Sequence, residues 1–249
     1  LGLQGHDALW TKENVYLYQE PRKNNQYIMT VDVARGRGQD YSTFSIFDVT
    51  EKPFKQVGIY RNNLISPLLF PDVIARYAKM YNEAIVIVEN NDQGQIVCNN
   101  LHYDLEYPNV FMESSVKSTG IGVTMTRRVK QIGCSTLKEL MEENKLRGID
   151  KFTISELVTF VAKGQSYEAD GGNHDDLVMN LVLFAWFITT PYFQSLTDLE
   201  LKKMLYDEQQ QLIEDDMVPF GIIDDGNRGP DVYKEGGDVW TVVDDVQVY

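Results

Sequence analysis

The sequence predicts an α/β domain on a mixed sheet, an antiparallel meander first and then strands alternating with helices that cover its faces. Three observations carry this. The runs QYIMTVDV at 26–33, STFSIFDV at 42–49 and KQVGIY at 55–60 are rich in β-branched and aromatic residues, and their Gly- or Pro-bearing connections are too short for crossover helices. The continuous apolar run AIVIVE at 84–89 lies between two stretches of helical apolar spacing, as a buried crossover strand does. The 12 residues from Leu177 to Ile188 are apolar except for Asn180 and read as a buried helix, too short to cross a bilayer.

Taken in order, residues 1–24 open on LGLQGHDALW, which carries no capping or strand signal, and form a lead-in segment. The meander follows. LFPDVIARYAKMYN at 69–82 has helical spacing, 84–89 is the buried strand, and 92–103 reads as a second helix. NVFME at 109–113 is a further short strand. CSTLKELMEENK at 134–145 predicts a helix with Ser135 or Thr136 as cap, 154–162 a shorter one, and the last element begins at Asp175. One domain is therefore expected over 25–195. Residues 196–249 form an acidic appendage, with a charged helix over LTDLELKKMLYDEQQQLIEDD and a partly disordered Gly- and Asp-rich end.

Several classes of function are disfavoured. There is no pattern of basic start, apolar stretch and small-residue cleavage site. Two cysteines, Cys98 and Cys134, fall in predicted helices, which fits a reduced cytoplasmic setting. No Walker A or dinucleotide glycine pattern is found, so a nucleotide-hydrolysing motor is not expected within these residues. The first residue is Leu rather than Met, as in a fragment of something larger. A net charge of −14 argues against nucleic acid at first sight. However, residues 200–249 hold 13 acidic and 4 basic residues, net −9, which leaves only −5 on residues 1–199. A mildly acidic body with basic clusters is compatible with transient DNA contact.

Three acidic positions carry the chemistry. Asp32 lies inside an apolar strand, where a charge is costly unless paired or bound to a cation. Glu89 ends a buried strand at its carboxyl end, where α/β sheets place ligands. Asp175 and Asp176 open the apolar helix, and since Asp is a preferred N-cap one of the two is expected to serve as a cap. Carboxylates brought together raise one another's pKa unless a cation keeps them ionised. An all-oxygen donor set selects Mg²⁺, with Mn²⁺ able to substitute, and no Cys or His cluster here has zinc spacing. Two such ions about 3.5–4 Å apart suit in-line phosphoryl displacement, so hydrolysis of a nucleic-acid backbone fits best.

Basic residues surround these positions. Arg35 and Arg37 stand between glycines in ARGRG at 34–38, and Arg127, Arg128 and Lys130 cluster in TRRVK at 126–130. Both are candidates for contact with DNA phosphates, which carries no base code. His174, beside the Asp pair, is a candidate for orienting a water or a carboxylate. Tyr233, Trp240 and Tyr249 in the acidic tail are candidates for docking to another component.

The strings TVDVARGRGQD, IVIVEN and HDDLVMNLVLFAW, in that order, resemble the C-terminal nuclease domain of the large terminase of T-even-like tailed phages, over roughly residues 25–190. The resemblance implies a ribonuclease H-like fold and an endonuclease that cleaves double-stranded concatemeric DNA during genome packaging in the host cytoplasm. By the same likeness Asp32, Glu89 and Asp176 are the metal-binding catalytic triad, with Asp40 and Asp175 in support. The partners it implies are the portal of the prohead and the small terminase subunit, and the ATPase domain of such a protein is absent from this chain. Two alternatives use the same residues: a ribonuclease H-like junction resolvase, and a non-catalytic module docking on the portal.

Overall fold

The alternation in the first three runs folds as a meander at the centre of a seven-stranded sheet. The computed structural model describes residues 7–114, 119–163, 166–196, 232–235 and 238–241. Its first strands are β1 (Trp10–Lys12), β2 (Val15–Leu17), β3 (Tyr27–Asp32), β4 (Ser42–Asp48) and β5 (Phe54–Asn62). Helix α1 (Phe70–Met80) then crosses to β6 (Ile85–Val88), which lies parallel to β3. The sheet order is β1-β2-β5-β4-β3-β6, and the two-residue strand β9 (Leu146–Arg147) lies alongside β5.

Two of these strands fall in the segment 1–24 read as a lead-in. β2 pairs antiparallel with β5, Val15 opposite Tyr60, and buries Val15 and Leu17. A three-residue strand is too short to display a period of two; the exposed edge of β5 selects it.

Side-chain alternation sorts the core into two layers. On one face Met29, Val31, Phe44, Ile46 and Tyr60 pack against Phe70, Ile74 and Tyr77 of α1 and Val97 of α2 (Gly94–Asn99), which runs on into a π-helical turn at Asn100–Asp104. On the other face Ile28, Phe47 and Ile87 meet α3 (Arg127–Glu142) and α5 (Asp176–Phe187). Every residue of α5 after Asp176 is buried. A helix apolar on all sides needs cover on all sides, here from the sheet, α3 and α4 (Lys151–Thr159).

Helix α3 starts at Arg127, not at 134, and its cap is Thr126, whose hydroxyl accepts from the Val129 amide at 3.2 Å. Ser135 and Thr136 lie mid-helix. Gly133 is where α3 meets α5: a Cβ there would stand 2.4 Å from the Val182 carbonyl oxygen. Helix α4 starts at Lys151 instead of 154, because the buried Asp150 carboxylate accepts from the amides of Phe152 (2.7 Å) and Thr153 (3.2 Å). It also ends earlier, because Phe160 onward forms a hairpin of β10 (Phe160–Lys163) and β11 (Ser166–Ala169). A second hairpin joins β7 (Met112–Ser114) to β8 (Thr119–Ile121).

Contacts divide the chain into Leu1–Ser195 and Leu196–Tyr249. In the latter, β12 (Val232–Glu235) and β13 (Asp238–Thr241) pair antiparallel, Tyr233 opposite Trp240. The charged helix expected after residue 196 lies outside the described residues. Among the described residues no helix is long and apolar enough to cross a membrane.

Candidate active site

The parallel register of β3 and β6 sets two of the acidic residues side by side. Val31 pairs with Val88, and the Glu89 amide donates to the Val31 carbonyl at 2.9 Å, so Asp32 and Glu89 are the next residues of the two strands. Both share parity with Ile28 and Ile87, which face α3 and α5. Their carboxylates thus fall on the face that α5 covers.

Helix α5 is pinned to that face by polar contacts. The Thr43 hydroxyl donates to the Asp176 carbonyl (3.2 Å), the Asn180 amide to the Thr43 hydroxyl (2.7 Å), and the Thr30 hydroxyl to the Asn180 carbonyl (3.1 Å). Asn180, which interrupts the apolar run, is fully buried and spent on this anchoring. Asp176, the first residue of α5, arrives beside the strand ends.

The expectation that one of the two aspartates caps α5 does not hold. Asp175 occupies the N-cap position but makes no side-chain capping bond. The free amides of Leu177 and Val178 are taken instead by the Glu156 carboxylate of α4, at 2.8 and 3.3 Å. Both aspartates are left to line a cleft of about 390 Å³ with Asp32, Asp40, Asp92, Arg35, Arg37 and Gln39. Glu89 is not among the residues lining it; its link to the group is electrostatic, through Asp32.

The electrostatics are those of carboxylates crowded together. Burial raises Asp32 well above the ordinary aspartate range, and the charges of Glu89, Asp176 and Asp175 raise it further. Burial lifts Glu89 to about 7, against the nearby Lys130 charge and a hydrogen bond from Asn91. Asp176 reaches about 6 by burial, opposed by a bond from the Tyr41 amide (3.2 Å to Oδ2) and by His174, whose Nδ1 is 3.6 Å from the same oxygen. Asp40 and Asp175 push Asp176 in the same direction as burial.

Among the described residues, no group of three or more His, Cys, Asp or Glu forms a ready-made metal cage. Mutual repulsion opposes closer approach of three anions without a counter-charge. The donor set nevertheless fits a hard divalent cation: it is all oxygen, drawn from three elements, and held where ionisation is costly.

The basic residues separate into three situations. Arg35 is engaged with Asp92, Nη2 to Oδ2 at 2.8 Å and Nε to Oδ2 at 2.9 Å, in an exposed pair joining the loops after β3 and β6. Arg37 is exposed and lines the cleft. Arg127 and Arg128 are exposed on the first turn of α3, which Asn90 and Asn91 tie to the end of β6 through Thr124 (3.0 Å) and the Met125 carbonyl (3.4 Å). Lys130 differs from them: it is half-buried, and its charge acts on Glu89. Sequence reasoning missed Glu156 and Arg61 altogether. Arg61 Nη2 lies 3.7 Å from Glu156, and its guanidinium stacks 3.7 Å from the centre of the Tyr41 ring.

A family model described as the terminase RNaseH-like domain matches residues 29–184. Among solved structures, the large terminase nuclease from thermophilic phage G20c with bound magnesium is similar with a TM-score of 0.58 and 22% identity, over 73% of this chain and 91% of that one. The same nuclease with bound cobalt gives the same values. The large terminase nuclease domain of Thermus phage P74-26 gives a TM-score of 0.56 and 22% identity, over 73% and 88%. These likenesses are of fold, and they agree with the mixed sheet described above.

Proposed function

The chain belongs to the terminase RNase H-like domain family, and from that premise we propose that it is the nuclease part of a phage large terminase. In this reading it is a divalent-metal-dependent endonuclease that cuts double-stranded concatemeric DNA with little sequence preference during packaging in the host cytoplasm. The observation that supports it is that Asp32 of β3 and Asp176 of α5 line one cleft, while Glu89 at the end of β6 lies beside Asp32 and its charge raises the Asp32 carboxyl further. Divalent metal is supported by the G20c nuclease, whose structures hold magnesium, cobalt and zinc.

Asp32, Glu89 and Asp176 would hold Mg²⁺, or Mn²⁺ in its place, with Asp40 and Asp175 in reserve around the cleft. A cation so held supplies charge stabilisation for attack of water on a phosphodiester and for departure of the 3′-oxygen. The residues of the chain do the rest. His174 orients the Asp176 carboxylate, and the Tyr41 backbone amide donates to the same oxygen. Arg37, Arg127 and Arg128 offer guanidinium groups to the duplex backbone. Arg127 and Arg128 stand on the first turn of α3, at the end of a helix that favours an anion. Arg35 joins them when a phosphate displaces Asp92. The portal of the prohead, the small terminase subunit and an ATPase domain upstream are the partners this reading implies.

The test is Asp32→Asn. Plasmid cleavage in Mg²⁺ or Mn²⁺ should be abolished, while the melting temperature stays unchanged or rises, because one repelling charge has gone. Retained cleavage would overturn the assignment. Preference for four-way junctions over plasmid would favour a resolvase, and no cation-dependent stabilisation of the wild type would favour a binding module.

A further inference from the structure

We infer that Glu156 is a positioning residue for the cleft, holding the Asp176 carboxylate in place from the neighbouring helix; the inference rests on the nuclease reading above. The first turn of a helix leaves amides without partners, and they are normally met by the side chain of the N-cap residue. In α5 that residue is Asp175, and it does not cap. Glu156 Oε2 takes the Leu177 and Val178 amides instead, the two residues that follow Asp176. The side chain that would otherwise turn back onto the helix is thereby freed for the cleft.

The geometry is set on two sides. Glu156 is buried, and Arg61 stands 3.7 Å from its Oε1. The Arg61 guanidinium in turn stacks on the Tyr41 ring, and the Tyr41 amide donates to Asp176 Oδ2 at 3.2 Å. One chain of contacts therefore reaches Asp176 twice, through the backbone of its own helix and through the loop before β4. A buried carboxylate is costly to keep for capping alone, since a side chain at the cap position would do that work at the surface. What Glu156 adds is a capping oxygen that leaves the Asp175 and Asp176 side chains off the helix amides and on the cleft. Partners of this sort change metal affinity or activity by about 10–100-fold when removed.

Three variants test reach against charge. Glu156→Gln keeps an acceptor oxygen at the same reach, and cleavage should stay within a few-fold of wild type. Glu156→Asp keeps the charge beside Arg61 but withdraws the oxygen by one methylene, and kcat should fall about 10–100-fold with KM for DNA unchanged. Glu156→Ala should fall at least as far. Hydrogen exchange at the Leu177 and Val178 amides should accelerate in the Asp and Ala variants and not in Gln, and Mn²⁺ titrated calorimetrically should bind more weakly in the same two. These readouts need no cleavage. If the wild type neither binds Mn²⁺ nor cuts DNA, the nuclease reading fails. If it does both and Glu156→Asp matches it, or if Gln is impaired as severely as Asp, positioning by Glu156 is overturned.

Discussion

The carboxylates at and beside the cleft are tuned by their surroundings in a direction that makes their protonation part of folding. Glu89 is raised from 4.5 to about 7 and Asp176 from 3.8 to about 6, and Asp32 moves the same way. A carboxyl with a raised folded-state pKa binds its proton more tightly when folded, so it imposes no penalty below its unfolded pKa and destabilises the native state as pH rises through the folded value. The metal-free protein is therefore expected to lose stability between about pH 4 and 7. Glu156 and Asp150 are raised by burial too, so Asp32→Asn should flatten the profile only in part. Added Mg²⁺ or Mn²⁺ competes with protons for the same oxygens, and its stabilisation should be larger at pH 8 than at pH 5. Thermal unfolding with and without cation at the two pH values measures this, and an equal gain at both would argue against a carboxylate site. Asp32 stands out in the sequence as a charge inside an apolar strand, and Glu89 as the acid that ends one. Glu156 does not: a glutamate in a short helix is ordinarily exposed, and only the arrival of α5 makes it a cap.

At the scale of elements, α5 organises the site-bearing face, and its contact with α3 at Gly133 is the tightest constraint on it. Replacing Gly133 by Ala gains about 1 kcal/mol of helix propensity. The new Cβ, however, would meet the Val182 carbonyl carbon and oxygen at 3.1 and 2.4 Å, which are backbone atoms that cannot turn aside. Overpacking of this kind costs about 1–3 kcal/mol, so Gly133→Ala should lower stability by roughly 1 kcal/mol net. Urea unfolding checks this; a stabilised variant would mean that the helices separate freely. Helix α3 begins well before the expected 134, with Thr126 as its cap and Val129 buried, and it keeps at Gly133 a residue that helices disfavour because the close contact with α5 requires it. Packing against α5 outweighs local propensity at Gly133, and strand pairing with Ala169 does so at Phe160, expected in the helix over 154–162.

For the whole molecule, charge distribution governs how the duplex is approached. Of the net −14, residues 200–249 hold −9, and anionic charge of that size repels DNA over about a Debye length. A chain ending at Leu199 retains the whole Leu1–Ser195 unit. It should therefore fold and bind duplex DNA several-fold more tightly at low salt, the advantage fading as salt screens it. Fluorescence anisotropy in EDTA across a salt series measures the difference, and identical curves for the two chains would leave the tail without an electrostatic role. The sequence by itself determined the mixed-sheet class, the order of meander and crossover, and the place of Glu89 just past the end of a buried strand. Those follow from residue periodicity and from where apolar runs end, both local properties of the chain. Only the tertiary structure decided that β2 completes the sheet, that Lys130 serves Glu89 and Arg35 is paired with Asp92, and that a glutamate 20 residues before Asp176 caps its helix. Each depends on which surfaces meet once the core closes, and the geometry of such long-range contacts has no periodic trace in the sequence.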